Sequence, residues 1–138
     1  MIVGIGVDVF AVERIATQLE EDGSDLRERL FTPGEIAYCE AKRYPAPHYA
    51  ARFAAKEALY KALGGRQPQG ASWRDVEVRN DPSGRSHLVL HGPIRDAAAA
   101  LRADRVFLSL SHTREWAVAN VVLESSPGRA EEQREQSR

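Results

Sequence analysis

Two of the three lysines in this chain lie close together on one predicted helix. Residues 51–64 read ARFAAKEALYKALG and place Lys56 and Lys61 on either side of Glu57. The only other lysine is Lys42, although Lys and Arg together number 19, so arginine carries most of the positive charge. Lysine is a compact point charge that suits a phosphate oxygen, and arginine does not replace it freely. The retained lysines therefore indicate a site for an anion.

The same helix has a second interpretation that needs no ligand. Glu57 and Lys61 stand four residues apart in the order that favours an ion pair on a helix surface, which stabilises a helix by roughly a few tenths of a kcal/mol. The predicted apolar stripe of the helix consists of Tyr49, Phe53, Tyr60 and Leu63. Because each residue turns a helix by about 100°, Lys56 points into the middle of this stripe. Lys56 must therefore extend past its apolar neighbours or meet an anion in a cleft.

Asp8 is a candidate second carboxylate for the same site. The opening residues MIVGIGVDVF are apolar and rich in β-branched types, which predicts a strand over residues 2–10. Gly4, Gly6 and Asp8 then share one face of the strand, and the two glycines allow another group to approach the backbone closely. Alternatively, Asp8 only ends the strand and caps the helix that follows.

Together these side chains indicate magnesium and a polyphosphate. Mg²⁺ usually keeps several waters and takes one or two protein carboxylates together with substrate phosphates. Asp8 and Glu57 are the candidate carboxylates. The positive charge that the phosphates need would come from Arg52, Lys56 and Lys61. The pattern by itself predicts half of such a site, which the substrate would complete.

The elements that position these residues predict an α+β fold. Helices are predicted over residues 11–22, 33–43, 48–63 and 93–103, and hairpins over residues 73–91 and 105–124. The TPGE segment marks one helix start, with Thr32 as N-cap, Pro33 in the first turn and Glu35 completing a capping box. We expect one domain over residues 1–124 and a disordered polar tail over residues 125–138.

Composition and charge exclude several classes of protein. The chain has 138 residues, of which 43% are hydrophobic, and its net charge of −1 argues against general nucleic-acid binding. A single cysteine, Cys39, cannot form a disulfide framework, and no apolar run approaches the roughly 20 residues that a membrane helix needs. We therefore expect a cytoplasmic protein that binds neither nucleic acid nor membranes.

Three blocks of the sequence resemble a known family. They are GIGVDVFAVERI, then FTPGEIAYCEAK leading into ARFAAKEALYKALG, and finally LSLSHTREWAVANVVLE. In order and spacing they look like the bacterial holo-acyl-carrier-protein synthases, which are small trimeric 4′-phosphopantetheinyl transferases. The resemblance covers essentially residues 1–124. It implies a homotrimer with sites between subunits and a Mg²⁺-dependent transfer of phosphopantetheine from coenzyme A to a serine of apo acyl carrier protein. Adenosine 3′,5′-bisphosphate would be released.

The resemblance also implies roles for individual residues. Asp8 and Glu57 match the two metal-binding carboxylates, and Lys61 matches a basic residue that faces the phosphates and the reacting groups. Contacts to coenzyme A are implied for Arg52, Lys56, Lys61, Gly64 and His112. Glu57, acting through a water on the metal, is the expected acceptor of the serine proton, and His112 is the alternative.

Two segments differ from the family pattern. Family members usually show KALGTG after the lysine helix, whereas this chain has KALGGRQPQG, so Arg66 stands where a glycine is expected. GRS at residues 84–86 replaces the usual Gly-Lys-Pro. Because Asp8, Glu57 and Lys61 are all present, we expect these differences to leave activity intact.

Basic residues of the first helix are the expected docking surface for an acidic carrier protein. Arg14 matches a docking residue of the family, and Arg27 and Arg29 are plausible additions. The segment EEDGSD places four acidic residues between Arg14 and the other two, so a solvated face of mixed charge is the alternative.

Two other functions compete with the transferase. The first is another Mg²⁺-dependent nucleotide enzyme on the same scaffold, such as a phosphohydrolase. The second is a non-catalytic trimer that binds coenzyme A or a carrier protein as a regulator. Binding alone would not require both carboxylates with Lys61, so the sequence favours an enzyme over the regulator.

Overall fold

The computed structural model describes residues 1–127 and 136–137. In chain order its elements are β1 (Ile2–Ala11), α1 (Val12–Leu30), α2 (Pro33–Glu40), α3 (Pro45–Ala62), a 3₁₀ turn (Trp73–Asp75), β2 (Val76–Asn80), β3 (Ser86–Leu90), α4 (Gly92–Ala100), β4 (Arg105–His112) and β5 (Trp116–Glu124). This order of helices and antiparallel hairpins confirms the α+β prediction. No helix in the described part of the chain is long and apolar enough to span a bilayer.

The main sheet has three antiparallel strands in the order β1-β5-β4, and β2 and β3 form a separate hairpin. Asp8 on β1 lies opposite Ala119 of β5, and His112 on β4 lies opposite Ala117 of the same strand. Asp8 and His112 therefore stand on the two edge strands of the sheet, with β5 between them. Helix α3 packs across the face that carries both of them.

Gly4 and Gly6 allow α3 to lie directly against β1. A Cβ atom at Gly6 would overlap the carbonyl oxygen of Ala58, and one at Gly4 would overlap that of Ala62. The group that approaches the strand is therefore the helix backbone itself. Since Glu57 adjoins Ala58 in the sequence, this contact brings its carboxylate to the strand that carries Asp8.

Helix α3 is buried on nearly all sides, whereas the sequence predicted one narrow apolar stripe. Phe53 and Leu63 of that stripe are only partly buried, and the alanines around the helix fill the core instead. The buried alanines are Ala50, Ala51, Ala54, Ala55, Ala58 and Ala62. Small side chains let the sheet pack on one side and α1 and α2 on the other. The sequence pattern underestimated this burial because alanine is a weak hydrophobic signal.

Helix boundaries follow the predicted signals in part. The capping box of α2 is confirmed, because Thr32 Oγ1 accepts a hydrogen bond from the Glu35 amide at 3.2 Å and Glu35 Oε1 accepts one from the Thr32 amide at 2.9 Å. Helix α1 is continuous over Val12–Leu30 and does not stop near residue 22. Helix α3 begins three residues earlier than predicted, since Pro45 fits a first helical turn.

The predicted tail, residues 125–138, lies mostly outside the described residues. Its first two residues make defined contacts. Ser125 and Met1 exchange two backbone hydrogen bonds of 2.8 Å, and the Ser126 amide donates to Asp104 Oδ1 at 2.8 Å. These two residues therefore contact the domain predicted over residues 1–124, and the boundary itself stays a prediction.

The outer face of the main sheet carries exposed apolar side chains. This outer sheet face consists of Ile5, Val7, Val9, Phe107 and Trp116, each between 43% and 67% exposed. Neighbouring strands place them side by side, because Ile5 and Phe107 both lie opposite Val122. Contiguous exposed apolar surface of this kind is typical of protein–protein contact sites.

Candidate active site

Asp8 and Lys61 form an ion pair where α3 crosses β1. Lys61 Nζ donates to Asp8 Oδ1 at 3.0 Å and to the Val7 carbonyl oxygen at 3.0 Å. The other carboxylate oxygen, Asp8 Oδ2, is buried and has no hydrogen-bond partner among the described residues. Asp8 does not cap α1, whose N-cap residue is Ala11 without a side-chain hydrogen bond. A buried, unpartnered carboxylate oxygen is costly unless a ligand occupies it.

Glu57 lies close enough to Asp8 for the negative charge of Asp8 to act on its carboxylate. Burial raises the pKa of Glu57, and the negative charge of Asp8 raises it further, while Lys61 and Arg14 oppose the rise. Two neighbouring carboxylates favour a cation between them. The fold thus brings residues 8 and 57 near each other, and their predicted sharing of one cation stays a prediction.

The donor set at Asp8 and Glu57 fits Mg²⁺. The oxygen donors are hard ligands of the type that Mg²⁺ prefers, and Asp8 Oδ2 is free to bind it. Within residues 1–127 and 136–137, no three His, Cys, Asp or Glu side chains cluster as metal ligands. A site with two carboxylates suits an ion that takes its remaining ligands from water and substrate phosphate.

The structure places Lys56 in the protein core, which corrects the expectation that it holds phosphates. Its Nζ donates to Glu35 Oε1 at 2.8 Å, to the Trp73 carbonyl oxygen at 3.1 Å and to the Val76 carbonyl oxygen at short range. Lys56 is completely buried, and an ammonium group has only three donors. Burial lowers the pKa of Lys56, and the Glu35 carboxylate opposes this effect. No donor is left for a ligand.

Arg52 is also buried, so it can act on a bound ligand through its positive charge more than through direct contacts. Its Nη2 donates to Asn80 Oδ1 at 2.6 Å, and its guanidinium carbon lies 3.9 Å from the centre of the Tyr38 ring. Its position on α3 is one turn beyond His48, whose pKa it helps to lower. Arg52 therefore lies behind the surface that His48 forms.

A basic groove lies beside the first turn of α3 and the β4–β5 turn. This cationic groove has a volume of about 810 Å³, and its polar lining consists of Lys42, Arg43, Tyr44, His48, His112, Thr113 and Arg114. Among the described residues, no carboxylate lines it. Thr113 Oγ1 fixes the turn by accepting hydrogen bonds from the amides of Glu115 and Trp116, at 3.2 and 3.1 Å. Such a lining is suited to an anionic ligand.

Of the groove residues, the sequence predicted only His112 as a ligand contact. His48 is partly buried, and its ring centre lies 4.9 Å from that of His112. Lys42 and Arg43 were missed. The available signal was the adjacent pair of basic residues before the proline-rich start of α3.

Gly64 lies at the end of α3 and has a conformational role. Its φ of +100° and that of Gly65, +79°, lie in the region that favours glycine. The Gly64 amide donates to the Lys61 carbonyl oxygen at 3.1 Å, which ends the helix one turn after the ion pair. The predicted coenzyme contact at Gly64 stays a prediction.

The predicted docking arginines do not form one patch. Arg14 is exposed, lies 5.2 Å above the Phe10 ring and acts on the pKa of Glu57. Arg27, about 20 Å further along α1, pairs with Glu40 at 3.1 Å. Arg29 lines a depression together with Asp22, Asp25 and Glu28. Only Arg14 therefore adjoins the acid pair.

The acid pair and the cationic groove lie on different sides of one chain. Glu57 and His48 are nine residues apart on α3, which places them on opposite sides of the helix and about 13 Å apart along its axis. Asp8 and His112 are on opposite edge strands of the sheet. The acid pair and the cationic groove are thus two separate clusters on one chain.

Comparison with known proteins identifies the family. The family model of the 4′-phosphopantetheinyl transferase superfamily matches residues 4–121. The chain is 44% identical to a holo-[acyl-carrier-protein] synthase of Koribacter versatilis, over 90% of this chain and 99% of that protein. The Neisseria meningitidis holo-[acyl-carrier-protein] synthase structure has a TM-score of 0.82 and 30% identity, over 91% of this chain and 100% of that one. A Bacillus anthracis synthase in complex with coenzyme A (3′,5′-ADP) has a TM-score of 0.74 and 38% identity, over 91% and 99%. The chain, with its acid pair and its basic groove, therefore belongs to the 4′-phosphopantetheinyl transferase superfamily.

Proposed function

We propose that this protein transfers the 4′-phosphopantetheine group of coenzyme A to a serine of apo acyl carrier protein and releases adenosine 3′,5′-bisphosphate. The observation that carries the proposal is the Asp8–Lys61 ion pair beside Glu57, in a chain that is similar to holo-[acyl-carrier-protein] synthases over nine-tenths of its length. The bound coenzyme of the Bacillus anthracis relative supports coenzyme A as the donor.

The reaction requires the serine oxygen to bond to the phosphorus that carries pantetheine. The bond from that phosphorus to the adenosine bisphosphate then breaks, and the serine proton goes to a base. Glu57, acting through a water molecule, is the base we propose, because its carboxylate adjoins both Asp8 and Lys61 and would itself help to hold Mg²⁺. Lys61 would offset the charge that develops on the leaving phosphate.

Asp8 and Glu57 are the residues that would hold Mg²⁺. When bound, the ion would neutralise pyrophosphate charge and orient the phosphates for in-line attack. Lys61 Nζ already holds Asp8 Oδ1, which leaves Oδ2 for the ion. The role of Lys61 is thus to orient the metal carboxylate as well as to meet the phosphate.

The cationic groove is the site we propose for the adenosine end of coenzyme A. A phosphomonoester such as the 3′-phosphate carries nearly two negative charges at pH 7, and the groove offers basic groups with no competing carboxylate from the described residues. Lys42, Arg43 and His112 would contact phosphate directly. Arg52 adds positive charge from behind the surface, and Lys56 takes no part in phosphate binding.

The active assembly we propose is a homotrimer with sites between subunits. The outer sheet face offers an exposed apolar surface that association would bury. On one chain the acid pair and the groove are separated by α3, so each is half of a site and the acid pair of one subunit would need the groove of the next. A head-to-tail contact repeated three times closes such a ring.

Mixing two inactive variants tests whether the site is shared. Asp8→Asn damages the acid pair, and His112→Ala with Arg43→Ala damages the groove. After co-refolding of equal amounts, half of the chains carry an intact acid pair and the other half carry an intact groove. About one quarter of the sites should therefore combine an intact acid pair with an intact groove. Intact-mass measurement of the carrier should then show about a quarter of the wild-type rate.

The control mixture combines Asp8→Asn with Glu57→Gln, which damage the same half-site. No combination of these chains gives an intact acid pair, so the mixture should stay inactive. If the first mixture also stays inactive while size measurement shows mixed trimers, both halves of the site belong to one chain and the shared-site proposal fails.

Transfer itself is tested on apo acyl carrier protein incubated with coenzyme A, Mg²⁺ and this protein. The expected result is a carrier heavier by one phosphopantetheine group, together with an equal amount of adenosine 3′,5′-bisphosphate. Breakdown of coenzyme A without carrier modification would support a phosphohydrolase. Coenzyme binding without turnover would support the non-catalytic regulator.

Charge reversal at Arg14 should weaken carrier docking selectively. We expect Arg14→Glu to raise KM for the carrier by about tenfold and to leave KM for coenzyme A nearly unchanged. Arg29→Glu is the matched control, since Arg29 already lies among acidic residues at the far end of α1. Steady-state kinetics on both substrates measure the difference. An equal rise in both KM values for Arg14→Glu would contradict the docking assignment.

The cytoplasm is the location we propose. Cys39 is the only cysteine, and it is buried and unpaired. Burial raises the pKa of its thiol to about 12, so the thiolate needed for oxidation is scarce. An unpaired thiol of this kind is compatible with a reducing compartment.

A further inference from the structure

Two histidines meet in the cationic groove, and no sequence pattern pairs them. His48 is in the first turn of α3 and His112 is the last residue of β4. Their ring centres are 4.9 Å apart, with the ring planes at 68°. Tyr38 of α2 supplies a third ring, centred 6.0 Å from that of His48. His48 therefore has a fixed position in the wall of the groove.

In the part of the chain that the structure describes, the charged groups around His48 are all basic. Arg52 faces it from its own helix, Lys42 from the segment between α2 and α3, and His112 from β4. Arg43, Tyr44 and Arg114 line the same groove, and the Tyr38 ring contacts the His48 ring. Burial lowers the pKa of His48, and the positive charges of His112, Lys42 and Arg52 lower it further. Without a ligand, His48 is therefore neutral at pH 7.

We propose that His48 takes up a proton when a phosphate group of coenzyme A enters the cationic groove, so that coenzyme binding is coupled to pH. This inference rests on the proposed function, because that function places a phosphate in the groove. A phosphate supplies the negative charge that the groove lacks, and an adjacent anion stabilises the imidazolium form. His48 would then donate a charge-assisted hydrogen bond that the neutral ring makes less strongly.

The sign of the coupling follows from linkage. Because bound phosphate raises the pKa of His48, the ligand-bound protein holds more protons than the free protein between the two pKa values. Affinity should therefore rise as the pH falls through this interval and level off below the pKa of the free protein. Each unit of difference between the two pKa values corresponds to about a tenfold gain in affinity.

The phosphate itself titrates, so the proton count is a sharper readout than affinity. A phosphomonoester loses its second charge near pH 6, which weakens binding on the acid side. Calorimetry in buffers with different ionisation heats measures proton uptake directly. At about pH 7.5 the phosphate is already a dianion, so uptake by the complex reports the protein groups.

The experiment is a calorimetric titration of the full chain with adenosine 3′,5′-bisphosphate. Wild-type protein should take up a measurable fraction of a proton for each nucleotide bound. His48→Phe keeps an aromatic ring beside Tyr38 and His112 but cannot be protonated, so uptake should fall clearly. We expect this variant to bind about tenfold more weakly near pH 6.5 and as well as wild type near pH 8.5.

Two further variants make the result decisive. His48→Gln can still donate a hydrogen bond but does not titrate, so it should lose the uptake even if the phenylalanine variant packs poorly. His87→Gln changes an exposed histidine on β3, outside the groove, and should keep wild-type uptake and affinity. Unchanged proton uptake in both His48 variants would overturn the inference. It would also be overturned if both variants bound adenosine 3′,5′-bisphosphate more weakly than wild type by the same factor at every pH.

Carrier modification separates this inference from the proposed function. If wild-type protein modifies the carrier while uptake is independent of His48, the function stands and the inference falls. If wild-type protein neither binds adenosine 3′,5′-bisphosphate nor modifies the carrier, the function fails and the coupling fails with it.

Discussion

Asp8→Asn is expected to lower the rate of carrier modification by about 100- to 1,000-fold with the fold unchanged. The amide keeps the shape of the side chain but removes the charge that pairs with Lys61 at 3.0 Å. It also replaces a carboxylate oxygen, Oδ2, that has no partner among the described residues. Intact-mass measurement of the carrier gives the rate, and circular dichroism checks the fold.

A control and an independent readout accompany this variant. Glu13→Gln removes an exposed carboxylate in the first turn of α1 and should leave the rate unchanged. In wild-type protein, Mg²⁺ with adenosine 3′,5′-bisphosphate should raise Tm more than the nucleotide alone does, and Asp8→Asn should lose that increment. A variant that kept both near-normal turnover and the Mg²⁺ increment would remove Asp8 from the metal site.

Lys56→Met is expected to destabilise the protein by about 3–5 kcal/mol. Lys56 is completely buried and neutralises Glu35, which also accepts hydrogen bonds from the amides of Thr32 and Val78. Methionine fills similar space, so the main cost is a buried carboxylate without its counter-charge. Urea unfolding at a fixed protein concentration measures the loss, because association with other copies adds to the apparent stability.

Two comparisons isolate the charge effect at Lys56. Glu35→Gln added to Lys56→Met removes the unpaired charge and should recover part of the stability. Lys61→Met changes a half-exposed lysine on the same helix and should cost less stability than Lys56→Met while abolishing transfer. If Lys56→Met kept full stability and lost affinity for coenzyme A instead, the result would support a phosphate-binding role for Lys56.

The sequence predicted the parts of the fold that depend on local chemistry. The capping box at Thr32 and Glu35, the hairpins and the glycine face of β1 all depend on neighbouring residues, and all are present. The convergence of Asp8 and Glu57 was also predicted, since the strand face and the helix position were both readable from side-chain types.

The parts that were not predicted depend on contacts between distant segments. Lys56 had two possible environments on its helix, and the choice depends on Glu35, which is 21 residues away in sequence. The contact of His48 with His112 joins α3 to β4, and no local pattern marks it. Arg27 pairs with Glu40 across the α1–α2 connection, which helix periodicity cannot show.

The contact between Gly6 and the Ala58 carbonyl has a consequence for how an ion would enter. Because no side chain separates the strand from the helix, the two elements move as one unit, and the acids they carry keep their spacing. An arriving cation would meet ligands that are already organised, and would relieve a repulsion built into the fold. Recruitment of the ion should therefore require little loss of conformational entropy, unlike capture by acids on a loose loop.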